Sequence, residues 1–282
     1  SVYVLTHYLL VAVFSQPWRP LPKNNEDLNF VKSYEPQNKN ITQLRILLHG
    51  PFGAGKSSFI NSVDSVLQGR ITGRALTDAT SIKSFTKKYI SYKIERGNEG
   101  YYSFIFTDIM GFEQNASRGI HIEDVKLALR GHVAEGYKFV PNSPMTQDSG
   151  SYQASPSLDD RVHVLVSVIP AGRVNLLSDS VVKKMREVRL EACEMGIPQV
   201  AILTKVDEAC PTVNNNIENI YKSKYLKQQV DRLSVILGLP SNCIYLVKNY
   251  GTENSPNDDI NAPILSALRQ IISYGEDFVN DL

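Results

Sequence analysis

The sequence predicts an α/β fold, a mostly parallel central sheet with helices on both faces. Three observations predict it. Short apolar runs recur at 44–49, 162–169, 200–203 and 244–247, the mark of strands buried on both faces. Helical stretches separate them, and strand–helix alternation gives parallel sheets. The first run, Leu44-Arg45-Ile46-Leu47-Leu48-His49, passes through G-P-F-G-A-G-K-S at 50–57 into Ser58-Phe59-Ile60-Asn61-Ser62-Val63. Strand, glycine turn and helix is the context a phosphate-binding loop requires.

Taken in order, the chain opens on an apolar stretch, 2–14. It is too short to cross a bilayer and has no basic segment before it, so a helix or strand packed on the domain is expected. Residues 16–40, rich in Pro, Asn and charge, read as a linker, with Trp18 anchoring it to the surface. From Leu44 the expected order is strand, helix, strand, strand, helix, strand, helix, strand, helix, strand, helix. The second and third strands are placed at 88–94 and 101–107. A helix over about 178–195 stops at Gly196, a C-cap signal, and a last helix covers about 262–280. The polar stretch 136–160 is a long insertion before the fourth strand, expected to be mobile with a few ordered aromatics. The expected organisation is therefore 1–40 as apolar segment and linker and 41–282 as one nucleotide-binding domain. No internal repeat is visible.

The chemistry of the loop explains its spacing. Gly50, Gly53 and Gly55 let the backbone wrap around phosphate, and successive amides at a helix N-terminus make an anion nest. Gly53, Ala54, Gly55, Lys56, Ser57 and Ser58 are the expected phosphate contacts. Lys56 reaches the β- and γ-phosphates and the Ser57 hydroxyl ligates Mg²⁺. The plain alternative is a glycine-rich turn with a solvated lysine, which the flanking strand and helix disfavour. One strand later, 101–107 ends in Asp108-Ile109-Met110-Gly111. An acid there can hold Mg²⁺ through water, and Gly111 can offer its N–H to a γ-phosphate.

The strand at 200–203 runs into Thr204-Lys205-Val206-Asp207. T-K-x-D resembles the guanine-specificity motif of GTPases, which implies that the Asp207 carboxylate would accept from guanine N1–H and N2–H₂, a donor pair adenine lacks, while the Lys205 stem would lie along the base. An exposed strand-end turn is the alternative. Lys248 and Asn249, after the last strand, stand where the guanine carbonyl is expected. Thr86 is the preferred γ-phosphate-sensing Mg²⁺ ligand, ahead of Thr80 and Thr77. The candidate catalytic set is thus Lys56, Thr86 and Gly111, and the metal set Ser57, Asp108 and Thr86. Directly after D-x-x-G stands Phe112, which cannot orient water. Hydrolysis would need Gln114, Glu113, a residue in trans or dimerisation across the nucleotide face, so slow turnover is expected.

Composition narrows the remainder. A net charge of +1 gives no basic field for nucleic acid. Three scattered cysteines, Cys193, Cys210 and Cys243, fit neither a zinc pattern nor a disulfide framework, and the cytoplasm is the simplest home. His49 reads as a strand-end residue and His163 as a hydrogen-bonded core histidine.

Together, P-W-R (17–19), the run 44–63, F-T-K-K-Y (85–89), D-I-M-G-F-E (108–113), T-K-V-D (204–207) and V-K-N-Y (247–250) resemble the interferon-induced protein 44 and 44-like family, over nearly the whole chain from about Pro17. The resemblance implies a G-domain-like P-loop fold, GTP/GDP and Mg²⁺ as ligands, a cytoplasmic location, and a part in antiviral and antiproliferative responses. Two readings stand beside each other, a weak GTPase and a non-hydrolysing GTP-dependent interaction module. An ATP-dependent phosphotransferase is disfavoured by 204–207. Protein partners, or a homodimer through the nucleotide face, are compatible with both.

Overall fold

A computed structural model describes residues 10–75, 88–115 and 118–282. The strands are β1 (Leu44–His49), β2 (Ile90–Glu95), β3 (Tyr101–Asp108), β4 (Val164–Pro170), β5 (Gln199–Thr204) and β6 (Ile244–Leu246). They form one sheet in the order β2-β3-β1-β4-β5-β6. Every pairing is parallel except β2 with β3, which is antiparallel. The longer helices are α1 (Asn24–Ser33), α2 (Lys56–Gln68), α3 (Ile122–Leu129), α4 (Asp179–Glu194), α7 (Lys224–Leu237) and α8 (Asp258–Asn280), with two short ones, α5 (Val206–Ala209) and α6 (Pro211–Asn215), after β5.

Side-chain alternation along the strands builds two cores. Leu47, Leu165, Ile169, Ala201 and Leu203 point to one face, where Val125 of α3, Met185 and Val188 of α4 and Leu226, Val230 and Leu233 of α7 cover them. Leu44, Ile46, Leu48, Val164, Val166, Val200 and Ile202 point to the other, under Phe59, Ile60 and Val63 of α2 and Ile264, Leu268 and Ile271 of α8. Strands buried on both faces are why the sequence shows continuous apolar runs rather than alternation. The helix ends follow local chemistry. Ser178 caps α4 by accepting from Val181 N–H at 3.3 Å, and Gly196 closes its far end with φ of 71°.

Two sequence expectations change. The stretch 16–40 is no linker throughout, because Asn24–Ser33 is helical and packs on α8. Val31 and Tyr34 are buried in the α8-side core, and Arg269 holds Asp27 at 2.8 Å. Of the charged residues that suggested a linker, Glu26 and Lys32 are exposed while Asp27 is buried against Arg269. Trp18 does anchor its segment, meeting Tyr221 edge to face at 5.1 Å. Arg19 donates to the Ile244 and Ser241 carbonyls at 2.6 and 2.7 Å. Of the apolar start, residues 1–9 lie outside the described residues. Val13 forms an antiparallel bridge with Ser223.

The insertion 136–160, expected to be mobile, is tied down along its length. His132 stacks on Tyr152 at 5.0 Å, and buried Asp124 accepts from Met145 N–H at 2.7 Å. Tyr89 N–H donates to Tyr137 O at 2.8 Å, and Gly136 N–H to Tyr89 O at 2.9 Å. Residues 136–138 thereby pair with Lys88 and Tyr89, just before β2. Composition concealed this because the anchors are backbone groups and a few aromatics.

His163, just before β4, is the core histidine expected. Its Nδ1 accepts from Arg45 N–H at 2.8 Å, so Nε2 carries the proton and donates to Leu158 O at 2.9 Å. Burial pushes its pKa down to about 4, Leu158 opposing and Arg45 adding to the effect. An unfolded imidazole titrates near ~6.5, so the unfolded chain takes the proton first. Stability from this site is full above that value and is lost as pH falls toward about 4. Between pH 7 and pH 5 the site should cost roughly 2 kcal/mol, at about 1.4 kcal/mol per unit. Urea unfolding at the two pH values should show His163→Gln less stable at pH 7 but with a flatter pH slope. An unchanged slope would count against this account.

Candidate functional site

The phosphate loop 50–57 joins β1 to α2 at the C-terminal edge of the sheet, where open α/β sheets bind ligands. Gly53 and Gly55 take positive φ values of 71° and 90°, turning the backbone to start α2 at Lys56. A cavity of about 350 Å³ opens there, lined by the expected Gly53, Ala54, Gly55, Lys56, Ser57 and Ser58, and by Lys205. Asn61, the segment Ile71-Thr72-Gly73, Tyr250 and Gly251 complete its wall. Asn61 holds that segment in place, donating to Ala75 O at 2.9 Å and accepting from Ala75 N–H at 2.8 Å.

The loop is gripped from its outer side by the ends of the neighbouring strands. Thr204 Oγ1, at the end of β5, donates to Ala54 O at 2.6 Å. Asn249 Nδ2, beyond β6, donates to Gly55 O at 3.1 Å. These bonds orient the peptide units so that their N–H groups face the opposite way, into the cavity. Ser57 Oγ meets Asp108 Oδ2 at 2.5 Å, and Asp108 is fully buried at the end of β3. A hydroxyl and a carboxylate are the hard oxygen donors that suit Mg²⁺, which is held by few protein ligands and keeps its waters. The donor set therefore fits that ion.

The D-x-x-G turn is locked to the phosphate loop. Phe112 N–H donates to Gly50 O at 2.9 Å, and Phe52 N–H to Phe112 O at 3.0 Å. A Cβ on Gly111 would lie 2.8 Å from the Phe52 backbone, so only glycine permits this approach. The Phe112 ring turns away from the cavity into the core, meeting His49 edge to face at 5.9 Å. His49 is fully buried and bonds Ser167 Oγ through Nε2 at 2.7 Å. Burial, then the charges of Lys56 and Arg189, push its pKa down to about 3. A second groove of about 350 Å³ flanks the loop, where Pro51 and Phe52 face Glu113, Gln114 and Arg173. Lys184 of α4 fixes that region by donating to Glu113 O at 3.0 Å.

At the other end of the cavity, Lys205 is the single non-glycine residue with positive φ, 56°, among the described residues. A strained residue at a strand end marks a constrained turn. Leu203 and Leu246 are in register on β5 and β6, so Asp207 and Lys248 follow adjacent strand ends. Lys248 Nζ lies 3.6 Å from Asp207 Oδ2 and 2.9 Å from Glu253 Oε1. Thr86, Thr80 and Thr77 lie outside the described residues. The structure thus gathers the remaining candidates around one cavity and its strand ends. Sequence reading missed Glu253 and Arg173, which sit in no motif, and Asn61, which lies within the run 44–63 but was assigned no role there.

No family model matches the chain. Human interferon-induced protein 44-like is 34% identical over 261 residues, 92% of this chain and 57% of that protein. Interferon-induced protein 44 of Pan troglodytes is 34% identical over 256 residues, 90% of this chain and 57% of that protein. The mouse protein is 32% identical over 256 residues, 90% of this chain and 60% of that protein. Over about nine-tenths of its own length the chain is similar to interferon-induced protein 44 and 44-like proteins. It spans between 57% and 60% of the length of these proteins. Among solved structures, Toc33 from Arabidopsis thaliana in complex with GDP and Mg²⁺ has a TM-score of 0.48 at 14% identity, covering 90% of this chain and 93% of that one. A probable GTP-binding protein engB has a TM-score of 0.44 at 12% identity, covering 84% and 99%.

The grip on the loop can be tested directly. Thr204→Val keeps shape but leaves the buried Ala54 carbonyl unpaired, a loss of roughly 1–3 kcal/mol. Urea unfolding should register that loss, and nucleotide affinity should fall with it. Wild-type values for both would remove Thr204 from the site.

Proposed function

We propose that this chain is a guanine-nucleotide-binding domain that takes GTP and GDP with Mg²⁺ and hydrolyses GTP slowly or only with a partner. The observation that carries the reading is the double grip of Thr204 and Asn249 on the carbonyls of Ala54 and Gly55. It joins a phosphate cradle to a turn bearing a lysine and an aspartate, so one ligand with phosphates and a base can span both. Inward-facing amides and Lys56 hold the phosphates, with Gly111 next to the γ-phosphate position. Ser57 and Asp108, with Thr86 proposed as the third ligand, would hold Mg²⁺, which supplies charge neutralisation across the β- and γ-phosphates. Asp207 accepts from guanine N1–H and N2–H₂, and adenine would leave that carboxylate unpaired. Lys205 lies along the base, and Lys248 and Asn249 close its carbonyl side.

Slow turnover follows from Phe112, whose ring is 1% exposed and packed against His49. Glu113, Gln114 and Arg173 share the groove beside Phe52 and are the groups we assign to assist hydrolysis, in this chain or from a second copy. The same burial of Phe112 favours a second reading, a module that binds GTP without cleaving it. With relatives named as interferon-induced, we place the domain in an antiviral or immune response in the cytoplasm, acting through protein partners. No helix among the described residues is long and apolar enough to cross a membrane.

Two measurements separate these readings. Purified protein with GTP and Mg²⁺ should form GDP over hours, and Lys56→Ala should not. A rate per molecule that rises with protein concentration would place part of the machinery in a second copy, and bound but intact GTP would select the non-hydrolysing module. Asp207→Asn should weaken GTP binding by roughly tenfold or more and shift preference toward xanthosine triphosphate, since the amide can donate to the xanthine O2. Unchanged GTP affinity in this variant would sink the guanine assignment.

A further inference from the structure

The Asp207 carboxylate does not stand alone. Lys248 Nζ is 3.6 Å from its Oδ2, and both side chains are about one-fifth to one-quarter exposed, at 20% and 24%. Lys248 is itself held by Glu253 Oε1 at 2.9 Å. Glu253 Oε2 accepts from Gly251 N–H at 2.9 Å and Thr252 N–H at 3.2 Å. Gly251 lines the cavity beside Tyr250, opposite Lys205. An ordered chain of bonds therefore runs from the cavity wall through Glu253 and Lys248 to Asp207.

The order of groups is informative. Lys248 offers a cationic donor beside a carboxylate with two acceptor oxygens, which is donor, acceptor, acceptor. The Watson–Crick edge of guanine reads O6 acceptor, N1–H donor, N2–H₂ donor, the complement of that order. Adenine presents an amino donor in place of O6 and would set it against the ammonium. Burial alone would lower the lysine pKa, but Glu253 and Asp207 outweigh it and raise the value, so Lys248 keeps its charge. Burial likewise opposes ionisation of Glu253, yet the Gly251 N–H and Lys248 bring its pKa below the ordinary value.

We propose that the Lys248 ammonium donates to guanine O6, completing with Asp207 a three-point reader of the guanine edge, and that Glu253 is its positioning residue. The inference rests on the guanine reading above and deepens it, assigning base contact to a side chain on the last loop. Lys248 reads O6 while Asp207 reads N1 and N2, so the two contacts respond separately to changes in the base.

The test is equilibrium binding of GTP, ITP, 6-thio-GTP and ATP to the full chain and its variants, with folding checked by urea unfolding. ITP lacks the 2-amino group but keeps O6, and 6-thio-GTP replaces O6 by sulfur, a weaker acceptor. Wild-type protein should bind GTP more tightly than 6-thio-GTP. Lys248→Met should weaken GTP and ITP by the same factor, roughly tenfold for a lost charged hydrogen bond, leave the GTP-to-ITP ratio unchanged, and abolish the GTP-to-6-thio-GTP preference. Glu253→Gln should reduce that preference in part, and Glu253→Asp should restore it. Loss of GTP, ITP and 6-thio-GTP affinity by one common factor in Lys248→Met would mean that the lysine only supports Asp207, overturning the O6 contact. GTP affinity within twofold of wild type would overturn it as well. If wild-type protein shows no preference for GTP over ATP, the guanine reading itself fails. A retained GTP preference with Lys248→Met silent on O6 confines the failure to this inference.

Discussion

The site depends on the phosphate loop being held from behind. A glycine-rich hairpin has many accessible conformations, and its amides form an anion cradle only when the carbonyls are fixed outward. Thr204 and Asn249 fix two of them, at Ala54 and Gly55. The Gly50 carbonyl and Phe52 N–H are fixed by Phe112. Three strand ends, those of β3, β5 and β6, thus converge on one loop at the end of β1. Because the strands are clamped in a sheet buried on both faces, the cradle inherits the rigidity of the core.

The same arrangement explains where charge is tolerated. Asp108 is fully buried yet meets Ser57, and Asp207 and Glu253 share one lysine. The buried histidines stay neutral. His163 has both ring nitrogens hydrogen-bonded, while His49 sits beneath the loop, near enough for the charge of Lys56 to help keep it unprotonated.

Much of this was legible in the chain. The strand-like runs placed all six strands to within two residues, with β2 and β4 each beginning two residues later than expected, at Ile90 and Val164. G-P-F-G-A-G-K-S and, through Lys205, T-K-V-D line the cavity, while the turn after D-I-M-G is locked to the loop beside it; each motif is legible because it needs fixed spacing within a single turn. Helix α1 was hidden because its apolar residues are few and one of its acids, Asp27, is buried through an ion pair with distant Arg269. The order in the insertion 136–160 leaves no trace in composition, because its anchors include backbone pairing with Lys88 and Tyr89 and the bond of Met145 N–H to Asp124.

The sequence by itself determined the fold class, the glycine-rich loop between β1 and α2, and the turn after β5 that carries Lys205 and Asp207, since each is written in contiguous residues. Only the tertiary structure decided that Phe112 turns into the core, that Asn249 grips Gly55 across 194 residues, and that Glu253 holds the lysine beside Asp207. Those are contacts between strand ends and loops brought together by sheet order, and sheet order is a property of packing that local sequence does not encode.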